Sequence, residues 1–147
     1  LLGCDPGCDP PGSLDGKTYR MFGNVVDYEL GGPEDYPGTS PVNGVSTWAF
    51  DWSDAAEGPV TVTIDTQPFE GTGAWGTEEC NVFVVQFAGS WVAPGGRTHD
   101  FSAAGNFLYY DILVEGSLAW SETWRDSGLS GTLDARDAAV SGRQLAN

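Results

Sequence analysis

Basic residues are scarce in this chain. Only 6 Lys and Arg residues stand against 21 Asp and Glu residues, which gives a formal net charge of −15. The basic residues are spread along the sequence as Lys17, Arg20, Arg97, Arg125, Arg136 and Arg143. Binding to nucleic acid needs clustered cations that contact phosphates, and docking on an anionic leaflet needs the same. The composition therefore excludes nucleic acid as a partner and leaves only hydrophobic or covalent attachment to a membrane.

The sequence also has few of the residues that build catalytic and metal sites. The single histidine, His99, follows a Pro-Gly-Gly turn signal, so we expect it to be exposed or to cap the turn. Zinc and transition-metal sites use three or four His or thiolate ligands, and a hydrolytic triad needs a nucleophile motif that is missing. The acidic residues Asp51, Asp54 and Glu57 do not match an EF-hand loop and are interpreted as solvated. We expect no catalytic residue, no metal and no cofactor, and we expect the chain not to be an enzyme.

Long apolar runs are missing, and the sequence signal for membrane attachment lies at the N-terminus instead. No run approaches the ~18–20 apolar residues of a spanning helix. The first residues, Leu1-Leu2-Gly3-Cys4, resemble the lipobox of bacterial lipoproteins, in which an aliphatic and a small residue precede an obligatory Cys. The resemblance implies cleavage before Cys4, a lipid on its thiol, and an exported protein anchored in the bacterial cell envelope. The membrane and leaflet are left open.

Cysteine count gives a second prediction. Of the 3 cysteines, lipidation of Cys4 leaves Cys8 and Cys80 as an even pair, and an oxidising compartment favours a disulfide between them. The alternative is that Cys8 lies free in a tether while Cys80 is a small buried hydrophobic residue. Residues 1–16 are rich in Pro and Gly and are interpreted as the lipobox remnant and tether; residues 17–147 are interpreted as one domain.

The hydrophobic pattern of the domain has the period of two that is typical of strands. Alternation predicts strands over 45–52 and 59–66, and an apolar run over 80–88 predicts a central strand covered on both faces. An apolar stripe over 107–124 is interrupted at Glu115-Gly116, which we interpret as a hairpin turn. Weaker strand signals lie at 17–30, 98–103, 129–134 and 138–145. With 21 Gly, 9 Pro and no sustained helical period, the sequence predicts an all-β antiparallel sandwich or small barrel of about eight to ten strands.

Function is less well indicated than fold. The segment Gly71-Thr72-Gly73-Ala74-Trp75-Gly76 is interpreted as a loop that presents Trp75, which together with Trp52 is the candidate ligand-binding pair. Between an exposed Trp75 and one that folds back onto the sheet, we favour the second. The first hypothesis is a lipid-anchored, non-enzymatic binding or structural module that contacts the membrane and an envelope protein. The second is a domain that binds carbohydrate or another small ligand, and the third is a hydrolase without a recognisable motif.

Overall fold

The computed structural model describes residues 14–31, 44–52, 57–76, 81–92, 98–110, 112–126 and 129–145. The eight strands are β1 (Thr18–Gly31), β2 (Gly44–Trp52), β3 (Glu57–Ile64), β4 (Gln67–Trp75), β5 (Val82–Val92), β6 (Thr98–Tyr110), β7 (Leu113–Asp126) and β8 (Leu129–Gln144). Within these ranges there is no helix of the length and apolarity needed to cross a membrane.

The strands form a closed barrel in chain order. Each strand pairs antiparallel with the next, and β8 returns to pair with β1, so that Tyr19 lies opposite Gln144. The all-β prediction is confirmed, and of the two architectures left open the chain adopts the barrel. Closure gives every strand two neighbours and so removes the unpaired edges that an open sheet would expose.

The core of the domain fills the barrel interior. Alternating residues point inward, and the interior of an eight-stranded barrel is just wide enough for side chains to fill it. Trp48 and Phe83 are each 1% exposed, as predicted from strand parity. The ring of Trp48 packs edge-on against Phe87 and Phe107, at centroid distances of 5.8 and 6.1 Å. Edge-to-face contacts of this kind each stabilise an aromatic core by about 0.5–1.5 kcal/mol beyond simple burial.

The segment 71–75, interpreted as a loop from its glycines, is part of strand β4. That interpretation was wrong because the glycines serve close packing rather than a turn. A Cβ on Gly71 would fall well inside contact distance of the backbone carbonyl of Gln86 on β5. A Cβ on Gly73 would come within 3.0 Å of the indole of Trp52. Glycine is therefore required where β4 lies so close to Gln86 and Trp52.

Three other strand predictions also need correction. Glu115-Gly116 lies within β7, and the hairpin falls earlier, between β6 and β7. Strand β5 is covered on one face only, since Val84 is 44% exposed on the outside of the barrel. The two predicted C-terminal strands are one strand, β8, whose inward parity changes between Ala135 and Ala138.

The turn between β3 and β4 depends on one side chain. Asp65 has a φ of 56°, in the left-handed region that Asp tolerates better than most residues. Its Oδ1 accepts a hydrogen bond of 3.0 Å from the backbone N–H of Thr47, and its own N–H donates to the Thr47 carbonyl at 2.7 Å. These two bonds fix the turn to β2.

The described part of the domain begins with a turn that contacts the barrel before β1. Leu14 is fully buried, and the backbone N–H of Gly16 donates to the carbonyl of Phe50 at 2.9 Å. Asp15 Oδ1 accepts a 2.9 Å hydrogen bond from the backbone N–H of Trp52. Residues 14–16, assigned to the tether from composition, are thus packed on the domain.

Candidate functional site

The two ends of the barrel differ in chemistry. At one end the inward side chains include Trp52, Trp75 and Tyr109, and we call this the tryptophan end. Trp91 lies eight residues further along β5 from Phe83, the cross-strand partner of Trp75, or roughly 26 Å at 3.3 Å per residue. Trp91 therefore lies at the opposite end. There it is joined by His99, Trp120 and Glu122, and we call these four residues the histidine end.

Strand register stacks Trp91 on His99. The two residues are directly opposite each other on β5 and β6, where facing side chains on one side of a sheet are close neighbours. Their ring centroids are 4.3 Å apart and the rings lie within 19° of parallel. Trp91 is 8% exposed and His99 is 0% exposed. The expectation of an exposed or capping histidine was wrong, because His99 shares the inward parity of Phe101.

Glu122 holds the histidine from β7. Its Oε2 lies 2.7 Å from His99 Nδ1, and its Oε1 accepts a hydrogen bond of 3.1 Å from Trp120 Nε1. Glu122 and Trp120 are two residues apart on one strand and so face the same side. Glu122 is 2% exposed, so both of its contacts are shielded from water. A buried carboxyl group is tolerated only when its oxygens are hydrogen-bonded, as they are here.

Two polar atoms at the histidine end have no hydrogen-bond partner among the described residues. These are His99 Nε2 and Trp91 Nε1, which belong to the two stacked rings. Leaving a buried polar group unpaired costs about 1–3 kcal/mol, and native proteins contain few such groups. By contrast, the indole N–H groups of Trp48 and Trp120 are both paired, with Ser46 and Glu122. The histidine end therefore has two hydrogen-bonding atoms that the described residues leave unused.

The predicted ligand-binding pair meets at the tryptophan end. Trp52 and Trp75 stack with centroids 5.5 Å apart and planes within 12°, and each also contacts Phe83. They are 1% and 6% exposed, and neither indole Nε1 has a partner in the described part of the chain. Trp75 therefore folds inward, as favoured from the sequence. One face of each ring is covered by the other, so stacking on a ligand there would require the pair to separate.

Two further features border the tryptophan end. Lys17 Nζ donates a hydrogen bond of 3.1 Å to the hydroxyl of Tyr109, whose ring contacts Trp75 at a centroid distance of 5.7 Å. The turn that contains the buried Leu14 is hydrogen-bonded to β2 at the same end. This end is packed against its own N-terminal segment.

An outer cleft is a weaker candidate. It has a volume of about 590 Å³ and crosses the outside of β4 to β8, over small exposed side chains such as Ala88, Ser102 and Ala104. Its cation, Arg136, is ion-paired with Glu29. The cleft is thus lined largely by small side chains and has no buried, unpaired polar atom among its described residues. The histidine end has two such atoms.

Sequence reasoning missed the histidine end, although a usable signal was present. Leu118, Trp120 and Glu122 share even parity on one strand, which places the carboxylate on the inward face. Cys4, Cys8 and Cys80 lie outside the described residues, so lipidation and the disulfide stay predictions.

A metal site is not formed by the described residues, because they contain no group of three or more His, Cys, Asp or Glu side chains suited to one. The histidine end has one imidazole and one carboxyl group, and the carboxyl group is already engaged by Trp120. Its chemistry is that of hydrogen bonding between rings and a carboxylate. Comparison of the chain with protein-family models, with curated proteins and with solved structures gives no match.

Proposed function

We propose that this chain is a non-enzymatic binding module of the bacterial cell envelope, held on the membrane by a lipid on Cys4, and that its ligand binds at the histidine end. The observation that carries the site is that two stacked rings each have a buried, unpartnered atom, His99 Nε2 and Trp91 Nε1. A ligand that pairs with both removes a cost of about 1–3 kcal/mol for each. That gain would contribute directly to affinity.

Binding fits this site better than covalent catalysis does. A nucleophilic site needs a hydroxyl or thiol within hydrogen-bond reach of the base. Here the free nitrogen of His99 has no hydrogen-bond partner among the described residues, so none of their hydroxyl groups is poised against it. The opposite nitrogen is fixed by Glu122, which gives the ring one orientation. A fixed imidazole beside a fixed indole is a recognition surface.

The second candidate function is ligand binding at the tryptophan end. The observation in its favour is that the indole N–H groups of Trp52 and Trp75 are also buried and unpartnered in the described part of the chain. The turn that contains the buried Leu14 is packed at this end and weighs against it. The two candidates are separable, because each end has a tryptophan whose N–H is removed by a change to Phe.

Ligand-induced thermal stabilisation of the full chain tests the site. The probes are neutral sugars, simple amides, carboxylates and amines, each at millimolar concentration. A ligand at 100 times its Kd stabilises the folded state by about 2.7 kcal/mol, or roughly 5–10 °C in a domain of this size. We expect Trp91→Phe to reduce that shift and the matched control Trp75→Phe to leave it unchanged. The reverse pattern would move the site to the tryptophan end, and no stabilisation by any probe would remove the proposal.

The anchor has a separate test that does not depend on the ligand. The segments Cys4-Asp5-Pro6 and Cys8-Asp9-Pro10 have the same sequence, so Cys8→Ser is a matched control for Cys4→Ser. Mass spectrometry of detergent-extracted protein from a lipoprotein-processing host should find an acylated Cys4 in the wild type and in the control. Recovery of unacylated protein that retains Leu1 would contradict the anchor.

A further inference from the structure

We propose that the histidine end recognises a neutral hydroxyl group, such as that of a sugar or another polyol. The hydroxyl oxygen accepts a hydrogen bond from Trp91 Nε1, and its proton is donated to His99 Nε2. This inference rests on the proposed function, since it names the class of ligand for the same site. It follows from the direction of each hydrogen bond in the network.

The network fixes which nitrogen of His99 carries the proton. The indole N–H of Trp120 can only donate, so Glu122 accepts it through Oε1. A carboxylate oxygen can only accept a hydrogen bond, so in the 2.7 Å contact with Glu122 Oε2 the donor is His99 Nδ1. In the neutral ring, a proton on Nδ1 leaves Nε2 as a lone-pair acceptor. The buried, unpartnered nitrogen therefore requires a donor.

The neighbouring ring has the opposite requirement. Trp91 Nε1 is a donor without acceptor capacity, and its ring stacks on that of His99 at 4.3 Å. The matching group must accept one hydrogen bond and donate another within a small space. A hydroxyl does both through one atom, whereas a carboxylate has no proton for Nε2 and an ammonium group has no lone pair for the indole. A carboxamide would need two atoms correctly placed.

The surroundings of the site favour a neutral ligand as well. The chain carries a formal net charge of −15, which repels anions from every approach. The neighbouring side chains are aromatic: Trp91 stacks on His99, and Phe101 packs against Trp120 at a centroid distance of 6.0 Å. Sugars combine hydroxyl groups with apolar C–H faces that suit such rings. Polyols and sugars, which can pair with both polar atoms, thus also suit the neighbouring aromatic rings.

The single histidine makes the decisive experiment direct, because selective ¹⁵N-histidine labelling reports one residue. In the full chain without ligand, we expect the NMR signals of a neutral ring with its proton on Nδ1. Titration uses glycerol and the methyl glycosides of glucose, galactose, mannose and N-acetylglucosamine. A bound member of this set should shift the Nε2 resonance of His99 and the indole N–H resonance of Trp91.

Chemical analogues then test the two hydrogen bonds. When every hydroxyl group of the same glycoside is O-methylated, its oxygens still accept hydrogen bonds but no longer donate them. This form should therefore bind at least about tenfold more weakly. Trp91→Phe should weaken binding by a similar factor, whereas Trp75→Phe should not. The proposal is overturned if the ligand-free ring of His99 carries its proton on Nε2, or if the methyl ether binds equally well. It is also overturned if the two resonances show contact with an adventitious water only and none with a probe.

The two proposals fail in different ways. If acetate or N-methylacetamide binds with dependence on Trp91 while no polyol does, the site stands and the hydroxyl class is wrong. If no probe perturbs either ring, both the site and the class are wrong.

Discussion

Removing the Glu122 carboxylate should destabilise the barrel, and the size of the effect can be worked out from its contacts. The change Glu122→Leu keeps approximate volume but deletes the two oxygens that meet His99 Nδ1 and Trp120 Nε1. Each of the two stranded donors costs about 1–3 kcal/mol, and hydrogen bonds to a carboxylate lie in the upper part of that range. We therefore expect a loss of about 3–5 kcal/mol in the free energy of unfolding. That is a large fraction of the 5–15 kcal/mol typical of a domain.

Urea unfolding followed by tryptophan fluorescence measures this loss. Glu115→Leu is the matched control, because Glu115 is an exposed glutamate on the same strand and its change should cost no more than about 0.5 kcal/mol. The double variant His99→Leu with Glu122→Leu removes one of the stranded donors. It should be more stable than the sum of the single changes predicts, by about 0.5–3 kcal/mol. A cost below about 1 kcal/mol for Glu122→Leu, or strict additivity in the double variant, would refute this account of the network.

Three further predictions concern other parts of the chain. Gly71→Ala should lower the free energy of unfolding, measured in urea, by about 1–3 kcal/mol, because the added Cβ meets the backbone of β5. The control Thr72→Ala should leave this free energy nearly unchanged, and equal effects would argue against the close approach. Asp65→Ala should cost about 1–2 kcal/mol by losing a hydrogen bond in a left-handed turn, and Asp65→Asn should retain most of the stability. A disulfide between Cys8 and Cys80 should leave neither thiol reactive in unfolded, unreduced protein from an oxidising compartment; two reactive thiols would exclude it.

Strand periodicity was sufficient to predict the class of fold, because inward and outward residues alternate along nearly every strand. It failed where the backbone itself sets the structure. Gly71 and Gly73 suggest a loop in the sequence, yet Gly71 allows β4 to lie in close contact with the backbone of β5. Sandwich and barrel were not separable either, since closure depends on the pairing of β1 with β8 rather than on any local pattern.

The candidate site was harder to predict than the fold for a physical reason. His99 and Glu122 are polar, so a pattern that counts only apolar residues places them outside. Their inward direction follows from parity, but their contact depends on the register between β6 and β7, which places Phe101 opposite Glu122. Trp52 and Trp75 were both named as ligand-binding candidates, whereas their stacking on each other depends on the arrangement of β2, β3 and β4 in the barrel.

The pairing of β1 with β8 has a consequence for how the chain folds. Neighbours elsewhere in the barrel are joined by short connections, but Phe22 and Ser141 meet across more than a hundred residues. Closing that contact costs about 1.6 kcal/mol more loop entropy than closing a twenty-residue hairpin. The junction should therefore form last, and β8 is also the last of the eight strands to be synthesised. Until it arrives, the sheet has two unpaired edges and an uncovered face of aromatic rings, so the interval before closure is when aggregation competes with folding.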